Sequence, residues 1–85
     1  NSILQFVYPN PFENNITHQF VLEEESAVKI QFTDIFGRVV KVVQTELYDA
    51  GVHKVLYELN DLSSGVFLIN IEIGSTSYHK KIIKM

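Results

Sequence analysis

Residues 28–33 alternate with period two, with Val28, Ile30 and Phe32 on one side and Lys29, Gln31 and Thr33 on the other. In an extended chain that spacing puts every second side chain on the same face, so the segment reads as a strand with one buried side. Phe67, Ile69, Ile71 and Ile73 form another inward row. Leu68 on the opposite row places this strand under cover on both faces for part of its length, as suits a central strand. The run Val39-Val40-Lys41-Val42-Val43 fits neither alternation nor a helix and predicts a β-bulge. Applied to the whole chain, the pattern predicts strands at about 3–8, 16–22, 26–33, 38–47, 52–59, 66–73 and 76–84. Turn residues separate them: Pro9-Asn10-Pro11, Glu13-Asn14-Asn15, Asp34 to Gly37, Asp49-Ala50-Gly51, Asn60 to Gly65 and Gly74-Ser75. No segment sustains a 3.6-residue period, so the class is all-β, and short strands at this spacing make a sandwich or barrel.

A chain of 85 residues forms one compact unit, and the expected domain is 1–85, with 1–8 allowing for linker from a preceding domain. The content of 46% hydrophobic and 20% charged residues supplies a core and excludes disorder. With no cysteine, neither a disulfide nor a thiolate metal site can brace the fold. Seven Lys+Arg against ten Asp+Glu, a net charge of -3, leaves no basic field for nucleic acid, whose affinity is dominated by phosphate neutralisation. No apolar run approaches the ~20 residues that span a bilayer. Asn1 to Tyr8 has neither the basic region nor the cleavage site of a signal peptide, so an export signal is expected elsewhere in a longer chain.

Little here reads as active-site chemistry. His18, His53 and His79 are far apart and no Asp-rich loop has alternating ligand spacing, so neither metal nor cofactor is expected. His18 falls on the row of Ile16, Phe20 and Leu22 and reads as a partly buried strand-end histidine. The serines stand in turns and strand ends without a Gly-x-Ser-x-Gly elbow, so no catalytic residue and no small-molecule substrate are expected. Glu23, Glu24 and Glu25 read as a solvated loop. Pro9-Asn10-Pro11 removes two amide donors and ends the first strand. Gly37, Gly51 and Gly65 stand where turns must close, Asp34 is placed to bond its own turn, and Arg38 is placed to pair with Asp34.

Taken in order, these features resemble a known family. Tyr8-Pro9-Asn10-Pro11-Phe12, Asp34-Ile35-Phe36-Gly37-Arg38 with Val40, Ala50-Gly51-Val52-His53, Leu62-Ser63-Ser64-Gly65-Val66-Phe67 and Lys80-Lys81-Ile82-Ile83-Lys84 are similar to successive motifs of the type A C-terminal sorting domain of the Bacteroidetes type IX secretion system. The similarity covers almost the whole chain, although Tyr57 stands where the family often has Trp and the chain ends on Met85. The resemblance implies an immunoglobulin-like antiparallel β-sandwich and a noncatalytic signal that routes an N-terminal cargo across the outer membrane. It also implies an outer-membrane translocon and a surface sortase as partners, transit through the periplasm, and removal of the domain from the mature protein.

The last motif carries two readings. Lys80 and Lys84 share one face, while Lys81 lies with His79 and Ile83 on the other. Lysines protect an exposed sheet edge from unwanted pairing, and that alone accounts for them. If the resemblance holds, Lys80, Lys81, Ile82, Ile83 and Lys84 are candidates for recognition by the translocon, as an edge offered for strand addition or as a charged patch. The alternatives are a carbohydrate-binding module, with Tyr8, Tyr48, Tyr57 and Tyr78 as the available rings, and a passive fibronectin-like accessory module.

Overall fold

A computed structural model describes residues 4–85. Its seven strands are β1 (Gln5–Tyr8), β2 (Asn15–Leu22), β3 (Ser26–Asp34), β4 (Val39–Tyr48), β5 (Gly51–Glu58), β6 (Gly65–Ile73) and β7 (Thr76–Lys84). From β2 to β7 each boundary falls within one residue of the sequence expectation. The expected start of the first strand at residue 3, like the first three positions of the 1–8 linker allowance, lies outside the described residues.

The strands form a three-stranded sheet, β1-β2-β5, and a four-stranded sheet, β4-β3-β6-β7, antiparallel throughout. Pairing β2 with β5 in one sheet and β3 with β6 in the other gives the interleaved order of an immunoglobulin-like sandwich. The inner rows meet between the sheets: Ile16, Phe20 and Leu22 of β2, Val28, Ile30 and Phe32 of β3, Tyr57 of β5, Phe67 to Ile73 of β6 and Ile82 of β7. Each large side chain buried there contributes about 1.5–3 kcal/mol relative to leaving it in water. Central β6 buries Phe67, Ile69, Ile71 and Ile73, with Leu68 half-buried on the other face, as its two apolar rows require.

One expectation gains detail and one is corrected. Between Phe32 and Thr33 the partners on β4 step from Lys41 to Val39, so Val40 is the extra residue of the expected bulge. A second bulge lies where the partners of Val28 and Ile30 step from Glu46 to Val43. Val39, Val40 and Val42 are exposed along this edge strand, which explains why neither strand face reads as inward in the sequence. His18 is neither partly buried nor at a strand end: it is fully buried in mid-β2, paired with Val7 and Val55. Edge strand β1 and core residue Tyr57 close over it, and neither is visible from the local pattern.

Because successive strands reverse direction, the connections sort to two ends. At one lie the β1–β2 connection, the β3–β4 turn, the β5–β6 loop and the last residues of β7. At the other lie the Glu23–Glu25 loop, the β4–β5 corner and the β6–β7 turn, and β1 starts towards this end, Leu4 accepting a bond from Val21.

Candidate functional site

The β3–β4 turn is built around Asp34. Its Oδ1 accepts from the amides of Phe36 (2.9 Å) and Arg38 (3.0 Å), its Oδ2 accepts from Arg38 Nε (2.8 Å), and its own amide donates to the Arg38 carbonyl (2.9 Å). Gly37 closes the turn at φ +83°, a left-handed conformation that disfavours a side chain, and its amide returns to the Asp34 carbonyl. Partial desolvation raises the Asp34 pKa, but the bonds from Arg38 and Phe36 and the charge of Arg38 outweigh it, so the carboxyl sits below its ordinary value. The tip therefore holds one shape while it displays Ile35 and Phe36, which are 63% and 77% exposed. Large apolar residues between Asp34 and Gly37 are legible in the sequence and depart from the small or polar residues that normally fill a turn.

At the same end, across β6 from the turn, lies the outer edge of β7, and here the Pro9-Asn10-Pro11 motif acquires a structural task. The bonds Tyr8-Pro9 and Asn10-Pro11 are cis. Asn10 stands in for a neighbouring strand, donating through Nδ2 to the Lys81 carbonyl (3.0 Å) and accepting at Oδ1 from the Ile83 amide (3.0 Å). Phe12 continues the pairing: its amide donates to the Ile83 carbonyl and its carbonyl accepts from the Met85 amide, both at 2.9 Å. From Lys81 to Met85 the edge is therefore occupied, which limits strand addition there to a partner that displaces Asn10–Phe12.

The lysines divide as their alternation requires, but the Lys80–Lys84 row turns inward. Lys84 is only 9% exposed; its Nζ donates to the Glu13 carbonyl (2.5 Å) and lies 6.0 Å from the centre of the Phe12 ring. Lys80 is half-buried, with Nζ 3.3 Å from the Gln5 carbonyl. Both tie β7 to the chain before β2, and Ile82 between them is buried in the core. Lys81 and Ile83 are on the outer surface. An inward row of lysines was not legible, because its acceptors are backbone carbonyls about 70 residues away in sequence.

Gly65 pairs with Lys84 at the start of β6, so the loop motif that contains it opens onto the same end. A groove of about 510 Å³ lies between the Asp34–Arg38 turn and the start of β6, lined among others by Phe36, Arg38, Val40 and Val66. Gly51 alone stands apart: it pairs with Leu22 at the far corner. Of the rings read as a carbohydrate platform, Tyr57 is buried and Tyr48 and Tyr78 are half-buried, leaving Tyr8 as the exposed one. Among the described residues no three His, Cys, Asp or Glu side chains gather to hold a metal ion.

Four of the five sequence motifs thus converge on one end of a small all-β sandwich domain, in a surface of turns and strand ends. A family model described as a secretion system C-terminal sorting domain matches residues 6–85, and the chain belongs to that family. This is the sorting domain of the type IX secretion system, a noncatalytic signal borne by proteins exported to the cell surface or beyond. No curated protein matches the chain.

Proposed function

We infer that residues 1–85 form the whole sorting signal of a cargo attached on the N-terminal side. The end carrying the Asp34 turn, the Gly65 loop and the outer side of Lys81 to Met85 is the surface read by the outer-membrane translocon. The convergence of four motifs on that end carries the reading. In it, Asp34, Gly37, Pro9, Asn10, Pro11 and Gly65 shape the surface, Gly51 shapes the opposite corner, and Arg38, Lys81 and Ile83 are the exposed contacts. Ile82, Lys80 and Lys84 hold the terminal strand in place from inside.

Polarity along the molecule supports this reading. Because β1 starts towards the acidic corner, a preceding domain would sit there and leave the motif end free for the machinery. After passage from the periplasm, a surface sortase would cut on the N-terminal side of the sandwich, removing the domain from the mature protein. The test is a reporter with its own inner-membrane export signal fused ahead of residues 1–85 in a type IX-competent bacterium. The expected result is surface reporter whose mass, by mass spectrometry, lacks the domain; reporter retained in the periplasm would overturn the sorting role, and displayed reporter with the domain intact would overturn removal.

A further inference from the structure

The groove beside the Asp34 turn combines three features not found together elsewhere on the described surface. Its lip carries Phe36, the most exposed large apolar side chain among the described residues, and the neighbouring Val39, Val40 and Val66 are 50%, 38% and 38% exposed. The turn that holds Phe36 is fixed by its bonds to Asp34, so little conformational freedom is lost when a partner covers it. Arg38 lies 5.4 Å from the centre of the Phe36 ring with 75% of its side chain exposed, and among the described residues only its Nε is engaged. The terminal nitrogens of that guanidinium face solvent in the fork geometry that binds a carboxylate through two parallel hydrogen bonds.

We propose that this groove is a docking contact for a protein segment of the export machinery that presents an apolar side chain with a carboxylate beside it, the apolar group packing between Phe36 and Val66 and the carboxylate pairing with Arg38. The proposal rests on the sorting-signal reading and specifies what that signal offers its receptor. Apolar exposure alone does not single out the groove, since Leu47 and Val52 are 67% and 66% exposed at the other end. The argument for an occupant lies in the cation fixed at the lip of an apolar trough, on a molecule whose net charge is -3. A hydrophobic anchor ringed by a charge-assisted pair is the usual make-up of an interface hot spot.

The experiment compares surface display of the full reporter fusion among four variants, each melted as purified domain. Ile35→Ser/Phe36→Ser removes the apolar lip, and Leu47→Ser/Val52→Ser removes similar exposure at the far end. Val66→Glu and Val66→Lys put opposite charges in the same place. Loss of a hot spot predicts at least a tenfold fall in display for the first and for Val66→Glu, a smaller fall for Val66→Lys, which loses the apolar contact but does not repel the partner's carboxylate, and display within about twofold of wild type for the far-end pair. Surface side chains at these sites leave the melting temperature close to that of the parent, and Val66→Glu against Val66→Lys separates docking from folding if the double variant melts early. Wild-type display by the first variant, or equal display by the two Val66 variants, would overturn the groove while leaving the sorting role intact. Failure of the unmodified fusion to reach the surface would overturn the sorting role and the groove with it.

Discussion

Among the described residues His18 is the one fully buried titratable ring in the core, and its environment has a measurable signature. Nδ1 lies 3.3 Å from the Tyr57 hydroxyl, Nε2 lies 2.9 Å from Gln5 Oε1, and Phe20 packs at 4.6 Å between ring centres. Burial, aided by the charge of Lys80, pushes its pKa down to about 4, while burial raises that of the Tyr57 hydroxyl. The depressed histidine means that the unfolded chain takes up a proton first as pH falls below about 6.5. Stability is therefore expected to decline between about pH 6.5 and 4, by up to about 3 kcal/mol, before Asp34 begins to lose its own contribution at lower pH. Urea unfolding across that window checks this: His18→Leu should lower stability at pH 7 yet flatten the slope, and a flat wild-type profile would contradict the assignment. Gly37→Ala, with nothing within 4 Å of the added carbon, should cost about 1–2 kcal/mol through the positive φ alone. The melting temperature should accordingly fall by roughly 4–8 °C per kcal/mol in a domain of this size. The Gly37 turn and the Asp34–Arg38 pair were legible because their partners lie within four residues. The depth of His18 was not, since its cover comes from β1 and β5, 13 and 39 residues away.

Edge management differs between the two outer strands of the four-stranded sheet. β4 carries two bulges and Lys41, whose Nζ reaches the Glu58 carbonyl at 2.6 Å and lies 3.8 Å from Asp61. β7 instead turns Lys80 and Lys84 inward and has its terminal half paired by Asn10 and Phe12. Asn10→Ala should strip two bonds, about 1 kcal/mol each, and leave the Ile83 amide open to solvent. Hydrogen exchange should then show Ile83 losing protection while Ile82, which faces β6 and the core, keeps it; unchanged protection at Ile83 would rule out the Asn10 contact. Strand positions, the central place of β6 and the Val40 bulge could be read from period-two patterning, since pleat and burial impose it locally. Which row of β7 faces inward could not. Tyr78, Lys80, Ile82 and Lys84 form a mixed row, and its burial depends on the chain segment around Phe12 passing from β1 to the edge of the other sheet.

For the molecule as a whole, topology turns motifs scattered over the sequence into one surface, and order along the chain could identify the family without showing that convergence. The same packing makes deletion a poor probe of recognition. Removing Lys80 to Met85 takes away Ile82, 1% exposed, and its loss alone should cost about 2–5 kcal/mol. Such a truncation is expected to unfold the domain, as circular dichroism of the purified fragment would show. Recognition is better tested by changing surface chemistry at each end of a folded sandwich. The decisive measurement is the surface-displayed fraction of a reporter fused to residues 1–85 carrying Lys81→Glu/Ile83→Ser, against the same fusion carrying Glu23→Gln/Glu24→Gln/Glu25→Gln. Reading at the motif end predicts that display collapses for the first and stays at the wild-type level for the second. Equal display from both, or loss confined to the glutamate loop, would contradict it.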